Sequence, residues 1–218
     1  MPVGNERVVR AGIKGIKSEP LINDAVLKLI VKSSNEYAKK RFNMDINCGN
    51  IDELEACLVG AVDKYPTQEV ITYGVLKGES LVAGATGVIG KRVLLTSAKH
   101  LLNDLGVTAH LKKEANNLFD VLSKYKSLMV AIGYAKDSDI SLKDLGEDGV
   151  EVTLSGDCTY LDTCLDMKKE GIYNVFGQVF CTRMFAFVGV AENVLGNRVD
   201  IKILEYNPPN CKARIFEV

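Results

Sequence analysis

The C-terminal stretch 174–218 constrains the fold more than any other part of the sequence, because one long apolar segment is followed there by two short alternating ones. Segment 175–195 is dominated by apolar residues, and its few polar residues are spaced to fall near one flank of a helix. This pattern predicts a mostly buried helix. Gly196 follows the segment, and glycine in the left-handed conformation commonly ends a helix.

The two alternating segments predict a β-hairpin. Residues 198–205 and 211–218 alternate apolar and polar side chains, which is the period of a half-buried strand. Pro208 and Pro209 lie between them and cannot continue a ladder of hydrogen bonds, because proline has no backbone N–H. We therefore expect residues 207–210 to form the turn that joins the two strands.

The apolar segment 175–195 is long enough to cross a bilayer, but its charges argue against a membrane span. Arg183 near its centre would cost roughly 2.5–3.5 kcal/mol on insertion into the membrane. Glu192 and Asn193 add to that cost, and amphipathic strands follow directly. We expect no membrane span.

The composition of the chain indicates a globular protein of the cytoplasm. Its 218 residues are 47% hydrophobic, which is ample for a core, and the 27 basic and 28 acidic residues give a net charge of -1. Such a balance gives no reason to expect a nucleic-acid partner. The N-terminus lacks the apolar run of a signal peptide, so we expect the six cysteines to be free thiols in a reducing compartment.

The N-terminal part of the chain is predicted to be mainly helical. Residues 1–19 are rich in glycine and lysine with little periodicity, and we expect an extended lead-in there. Apolar residues recur at three- and four-residue steps over 20–42, which predicts a helix. Asn50 is a suitable N-cap for a second helix over 51–65. The pattern leaves open whether 70–76 is a short strand or the start of another element.

Residues 81–105 contain the glycine-rich sequence GATGVIG, which has two interpretations. Gly84, Gly87 and Gly90 resemble the fingerprint of a dinucleotide-binding turn, where glycines let the backbone approach a pyrophosphate. The same glycines, at steps of three, could instead let a neighbouring helix pack closely against a long helix. We favour packing, because no repeated strand–helix units follow and too little chain remains for a nucleotide-binding domain.

The second half of the chain predicts an α+β fold. Thr108 is a plausible N-cap for a helix over 110–126, residues 127–135 are typical of a buried strand, and 136–149 of an acidic loop. Residues 150–155 alternate as a further strand. With helices first and strands clustered towards the end, we expect an antiparallel four-stranded sheet packed against helices on one side.

This arrangement resembles the 4-vinyl reductase domain over residues 81–218, with residues 1–80 as an N-terminal helical extension that completes the same core. The resemblance rests on the order strand, strand, helix, strand, strand, on a glycine-bearing helix ahead of it, and on the run from Cys181 through Gly189 and Gly196 to Glu205. Similar domains occur in archaeal hydrocarbon-binding proteins, in bacterial regulators that sense aromatic compounds, and more distantly in vesicle-tethering subunits and haem-based nitric oxide sensors.

The resemblance implies a pocket for an apolar, aromatic or tetrapyrrole-like ligand, and it implies a dimer. Five apolar residues of the predicted C-terminal helix are the candidates to line that pocket, with a filled core as the plainer alternative: Phe176, Phe180, Met184, Phe185 and Phe187.

The resemblance also implies a zinc site at Cys181, Glu205 and Cys211. One cysteine of the family's final hairpin is absent here, so Cys158 or Cys164 would have to supply a fourth ligand, or water would fill that position. The alternative is that Cys181 and Cys211 are small buried apolar side chains, as free cysteines usually are.

Three classes of function are compatible with these sequence features. We expect first a non-catalytic, dimeric protein that binds an apolar small molecule. A second hypothesis is an assembly protein that docks on a larger enzyme complex through an exposed apolar stripe. A third is a nucleotide-dependent reductase that uses the GATGVIG sequence, for which we find no acid–base pair, or a thiol enzyme that uses Cys158 or Cys164.

Overall fold

The computed structural model describes residues 5–83, 88–172, 174–175, 178–179 and 181–218. The helices of the described residues are α1 Glu6–Ser18, α2 Asp24–Phe42, α3 Ile51–Val59, α4 Gln68–Ala83, α5 Val88–Asp104, α6 Thr108–Glu114, α7 Leu118–Ala131, α8 Leu161–Lys169 and α9 Thr182–Leu195. The strands are β1 Ile140–Asp144, β2 Val150–Leu154, β3 Asn174–Val175, β4 Gln178–Val179, β5 Val199–Asn207 and β6 Asn210–Glu217.

The predicted α+β class and the antiparallel four-stranded sheet are confirmed. The sheet has the strand order β1-β2-β6-β5, and every neighbouring pair is antiparallel. Strands β3 and β4 form a separate two-stranded ribbon. The C-terminal hairpin β5-β6 supplies two of the four strands of the main sheet, and β6 lies between β2 and β5.

The C-terminal hairpin has the predicted structure. Asn207 pairs with Asn210 across the Pro208-Pro209 turn, and Gly196 ends α9 with a left-handed backbone at φ 77°. Residues of β6 alternate between buried and more exposed positions, as expected of a strand that covers a core with one face.

The long helix predicted over 175–195 is wrong in its first third, because α9 begins only at Thr182. Val175 and Val179 belong instead to the ribbon β3-β4, and valine, being β-branched, favours such extended backbone. Arg183 therefore lies in the first turn of a helix and not in its middle, and the backbone N–H groups of a first turn have no partner within the helix.

One strand of the sheet does not lie where the sequence pattern predicts it. Residues 127–135 are typical of a buried strand, but α7 continues to Ala131. The helix buries Leu122, Tyr125 and Met129, which lie at helical spacing, and a short apolar run does not distinguish strand from helix. The strand lies instead at β1, within the predicted acidic loop 136–149.

Further corrections concern the helices. The expected lead-in 1–19 contains the amphipathic helix α1, whose N-terminus is capped by Asn5, and residues 70–76 belong to helix α4. Asn50 caps α3 as predicted, although that helix ends at Val59. The helix predicted over 110–126 is divided into α6 and α7, because Asn117 caps the start of α7.

Close helix contacts at glycine hold the helical layer together. A Cβ atom on Gly78 of α4 would lie 2.9 Å from the Ile30 backbone N of α2, and one on Gly189 of α9 would lie 2.9 Å from the Leu95 Cα of α5. Neither position has room for a side chain, since backbone atoms cannot move aside. Residues from α1 to the C-terminal strands contribute to one apolar core.

We expect Gly78→Ala to destabilise the protein by about 2 kcal/mol, because overpacking against a helix backbone costs roughly 1–3 kcal/mol. The matched control is Gly12→Ala on α1, where the added methyl would meet only the Ile71 side chain at 3.4 Å. The control should be neutral or stabilising, since alanine favours a helix over glycine. Urea unfolding measures both effects, and equal stability of the two variants would contradict the close contact of α2 and α4.

Candidate functional site

Two adjoining apolar cavities lie among the helices. The first has a volume of about 80 Å³ and is lined from α1, α5, α7 and α9, with Leu94, Met129 and Phe187 among its walls. The second has a volume of about 60 Å³ and lies among α1, α4 and α5. Four residues line both cavities, which places the cavities side by side: Val8, Leu94, Ser97 and Tyr160.

Buried polar atoms without hydrogen-bond partners face these apolar walls. Gln68 lines the second cavity and is 2% exposed, and neither its Oε1 nor its Nε2 has a partner among the described residues. Thr182 Oγ1 and Arg183 Nη1 at the first cavity are likewise buried without a partner in the described chain. Each such group costs roughly 1–3 kcal/mol, so their presence beside a cavity favours a ligand site over an ordinary core.

The surroundings of Arg183 contain hydroxyl and thiol groups. Burial raises the pKa of the Tyr125 and Tyr134 phenols, and the nearby positive charge of Arg183 opposes this rise. Arg183 also lies within hydrogen-bonding reach of the Cys158 thiol. Tyr134 donates a hydrogen bond to Tyr160 over 3.1 Å between the hydroxyl oxygens, at the wall of the first cavity.

Of the predicted ligand residues, Phe187 lines the first cavity. Met184 and Phe185 are buried on α9, and Phe185 packs its ring 5.7 Å from Lys91 Nζ, but neither lines the two cavities. Phe176 and Phe180 lie outside the residues whose side chains are described. The cavity face of α9 consists of Thr182, Arg183, Ala186 and Phe187. The sequence predicts Phe187 as a lining residue but not Thr182, Arg183 or Ala186, although 183, 186 and 187 share one helix face at spacings of three and four residues.

Cys164, Cys181 and Cys211 form a group of thiols near Arg183. The Cys181 thiol donates a hydrogen bond to the Cys211 sulfur, and this bond lowers the pKa of Cys211 to about 7. Burial opposes that effect, whereas the Asn207 backbone N–H and Arg183 support it. Cys164 hydrogen-bonds the Tyr206 hydroxyl, and burial raises the pKa of Cys164 to about 12. The structure therefore combines one acidic thiol with weakly acidic neighbours.

Glu205 does not join these thiols. On β5 the residue opposite Cys211 is Tyr206, and Glu205 lies opposite Lys212. Because side chains alternate along a strand, Glu205 is on the other face of the sheet, where its carboxylate lies 3.7 Å from Lys212 Nζ. Among the described residues no group of three or more His, Cys, Asp or Glu side chains is placed to hold a metal ion. The zinc site stays a prediction.

The N-terminus of α5, next to the GATGVIG sequence, is occupied by a buried carboxylate. Glu79 is 1% exposed and accepts hydrogen bonds from the backbone N–H groups of Ile89 and Gly90 at 3.2 and 3.0 Å. These are the groups that a pyrophosphate would need at a nucleotide-binding turn. Gly84 and Gly87 lie outside the described residues.

A second buried carboxylate, Glu69, lies between α4 and α8. It accepts hydrogen bonds from the Thr163 backbone N–H at 3.0 Å and from the Thr163 hydroxyl at 2.7 Å, and Tyr37 in turn donates to that hydroxyl over 3.2 Å. Burial nevertheless raises the pKa of Glu69 to about 7. The carboxyl therefore keeps its proton into the neutral range.

Comparison with known proteins gives no identity to this site. No protein-family model matches the chain, and no curated protein is significantly similar to it. Over the described residues, no helix is both long and apolar enough to cross a membrane.

We expect the folded protein to show one thiol that ionises near pH 7, measured as thiolate absorbance during a pH titration. Cys211→Ser should remove this step. Cys181→Ala should move it to higher pH, because the thiolate loses its hydrogen-bond donor. Cys164→Ser is the matched control and should leave the step in place. A step near pH 7 that survives in Cys211→Ser would contradict the assignment.

The raised pKa of Glu69 predicts that stability falls between about pH 4.5 and pH 7. In that range the folded protein keeps the Glu69 proton and the unfolded chain loses it, so the contribution of Glu69 is fully present below its ordinary pKa of 4.5 and is lost towards pH 7. A shift of this size corresponds to roughly 3 kcal/mol. Glu69→Gln should flatten the pH dependence of urea unfolding, whereas Glu36→Gln at an exposed position should not. Identical profiles for wild type and Glu69→Gln would contradict the expected shift.

Proposed function

We propose that this protein binds an apolar or aromatic small molecule in the two adjoining cavities, without catalysing its conversion, and that it is similar in this respect to the 4-vinyl reductase domain. The single observation that carries the proposal is the pair of cavities themselves. Interiors are normally packed without voids, so neighbouring apolar cavities with unsatisfied polar atoms in their walls are the usual mark of a ligand site.

The volumes of the two cavities limit the ligand to about the size of one aromatic ring. An apolar cavity of about 150 Å³ is known to accept benzene. The cavities have volumes of about 80 and about 60 Å³, so a ring of that size would have to extend from one cavity into the other. Tetrapyrrole-like ligands, which the resemblance also implied, are several times larger than a single ring and are therefore the less suitable candidates.

An assembly role is the second proposal, and one surface feature favours it. Leu81, Val82 and Val88 are large apolar side chains exposed near the facing ends of α4 and α5, with 57%, 56% and 38% of their surface accessible. Apolar groups that are close together on a surface favour association with a second copy of the chain or with another protein. Native mass spectrometry of the purified protein, compared with denaturing conditions, would report a dimer, a bound organic molecule and a zinc ion in one measurement.

We expect toluene to bind the wild-type protein with a stoichiometry of one and to raise its unfolding temperature, because the ring makes dispersion contacts with cavity walls that otherwise lack them. Ala186→Leu should weaken toluene binding at least tenfold by filling the first cavity, since Ala186 is in its wall. Isothermal titration calorimetry and ligand-observed NMR measure the affinity.

Ala56→Leu is the matched control, because Ala56 is an exposed helical residue of α3 outside both cavities. This variant should bind toluene as the wild type does. Absence of toluene binding to the wild type, or equal binding by the Ala186→Leu variant, would refute a ligand site at these cavities.

A further inference from the structure

Arg183 brings a positive charge to the first cavity, and no carboxylate within the described part of the chain pairs with it. No ion pair of the described residues includes it, and its ionisable neighbours are the phenols Tyr125 and Tyr134 and the thiols Cys158 and Cys211. Phenols and the Cys158 thiol are neutral at physiological pH. Arg183 as a whole is half-buried, but water does not reach its Nη1 atom, which has no hydrogen-bond partner among the described residues. A bound anion would supply the missing acceptor.

The same end of the cavity offers further groups that favour an anion. Thr182 and Arg183 are in the first turn of α9, and the partial positive charge of a helix N-terminus attracts negative groups. That turn has no acidic side chain to neutralise it. Thr182 is 3% exposed, lines the cavity, and its hydroxyl has no partner in the described chain, so it is available to donate a hydrogen bond.

We propose that the ligand is the anion of a small carboxylic acid, whose carboxylate is held by Arg183 and the Thr182 hydroxyl and whose apolar ring or branched chain lies in the cavities. This inference rests on the proposed function, which requires only that the cavities hold a small molecule. It adds the chemical class of that molecule. Arg183 and Thr182 are accordingly the residues that distinguish the acid from its neutral analogues.

The geometry favours a carboxylate over a larger anion. A guanidinium matches the planar carboxylate with two parallel hydrogen bonds. A phosphate monoester carries close to two negative charges and three acceptor oxygens, and the cavity wall supplies one cationic side chain, Arg183. The remaining walls of the first cavity are mainly apolar, so they suit the hydrocarbon part of an acid and not a second charged group.

The test compares three probes of similar size: benzoate, benzamide and toluene. Titrations are done at about pH 6, where the Cys211 thiol is protonated and does not compete for Arg183. The wild-type protein should bind benzoate at least tenfold more tightly than benzamide. Arg183→Met should abolish this preference while toluene still binds, because methionine keeps the length and apolar character of the side chain. Arg198→Met, at an exposed arginine before β5, is the matched control and should keep the preference.

The outcomes separate the two proposals. If toluene binds but benzoate binds no better than benzamide, the carboxylate inference is wrong and the apolar ligand site stands. If no probe binds, both are wrong. Retention of the benzoate preference in Arg183→Met also overturns the inference. Should that variant fail to fold, the wild-type comparison of benzoate with benzamide still decides, together with an NMR shift of the Arg183 guanidinium resonance that benzoate produces and benzamide does not.

Discussion

The burial of α9 is the constraint on which the rest of the structure depends. This helix contacts α5, α6, α7 and strand β5, and its residues from Met184 to Val194 are mostly inaccessible to water. Gly189 brings it against the backbone of α5, so the two helices cannot separate without losing the core between them. A helix enclosed in this way leaves only its ends for polar contacts. The first turn is where its single arginine, Arg183, lies.

Arg183 connects the two groups of residues that carry chemistry. Arg183 lines the apolar cavity, and its positive charge also helps to lower the pKa of Cys211. A carboxylate bound in the cavity would neutralise this charge and so weaken its influence on the thiol. The cavity and the thiols are therefore not independent, although different elements of the fold supply them.

The parts of the fold that sequence predicts well are those with local physical causes. Gly196, Asn50 and the Pro208-Pro209 turn act through their own backbone conformation or hydrogen bonds, and the structure has a helix end, a helix start and a hairpin there. Strand β2 followed from strict alternation. The prediction for segment 127–135 is wrong because a continuous apolar run satisfies both a buried strand and a buried helix, and the choice is made by packing between α7 and α9.

The candidate site is harder to predict from the sequence because its residues are far apart along the chain. Gln68 from α4 lines the second cavity and Arg183 from α9 lines the first. Both cavities form only when α1 and α5 pack against these helices, since α1 and α5 line both cavities. The resemblance to a ligand-binding family implies that aromatic residues of the C-terminal segment line a pocket, and Phe187 does so, but it gives no reason to expect Thr182 and Arg183 there. Residues 183, 186 and 187 share one face of α9 by the i, i+3, i+4 rule. Packing of that face near α1, α5 and α7 brings the charge of Arg183 to the cavity, and a pattern within one segment of the sequence does not report such packing between distant elements.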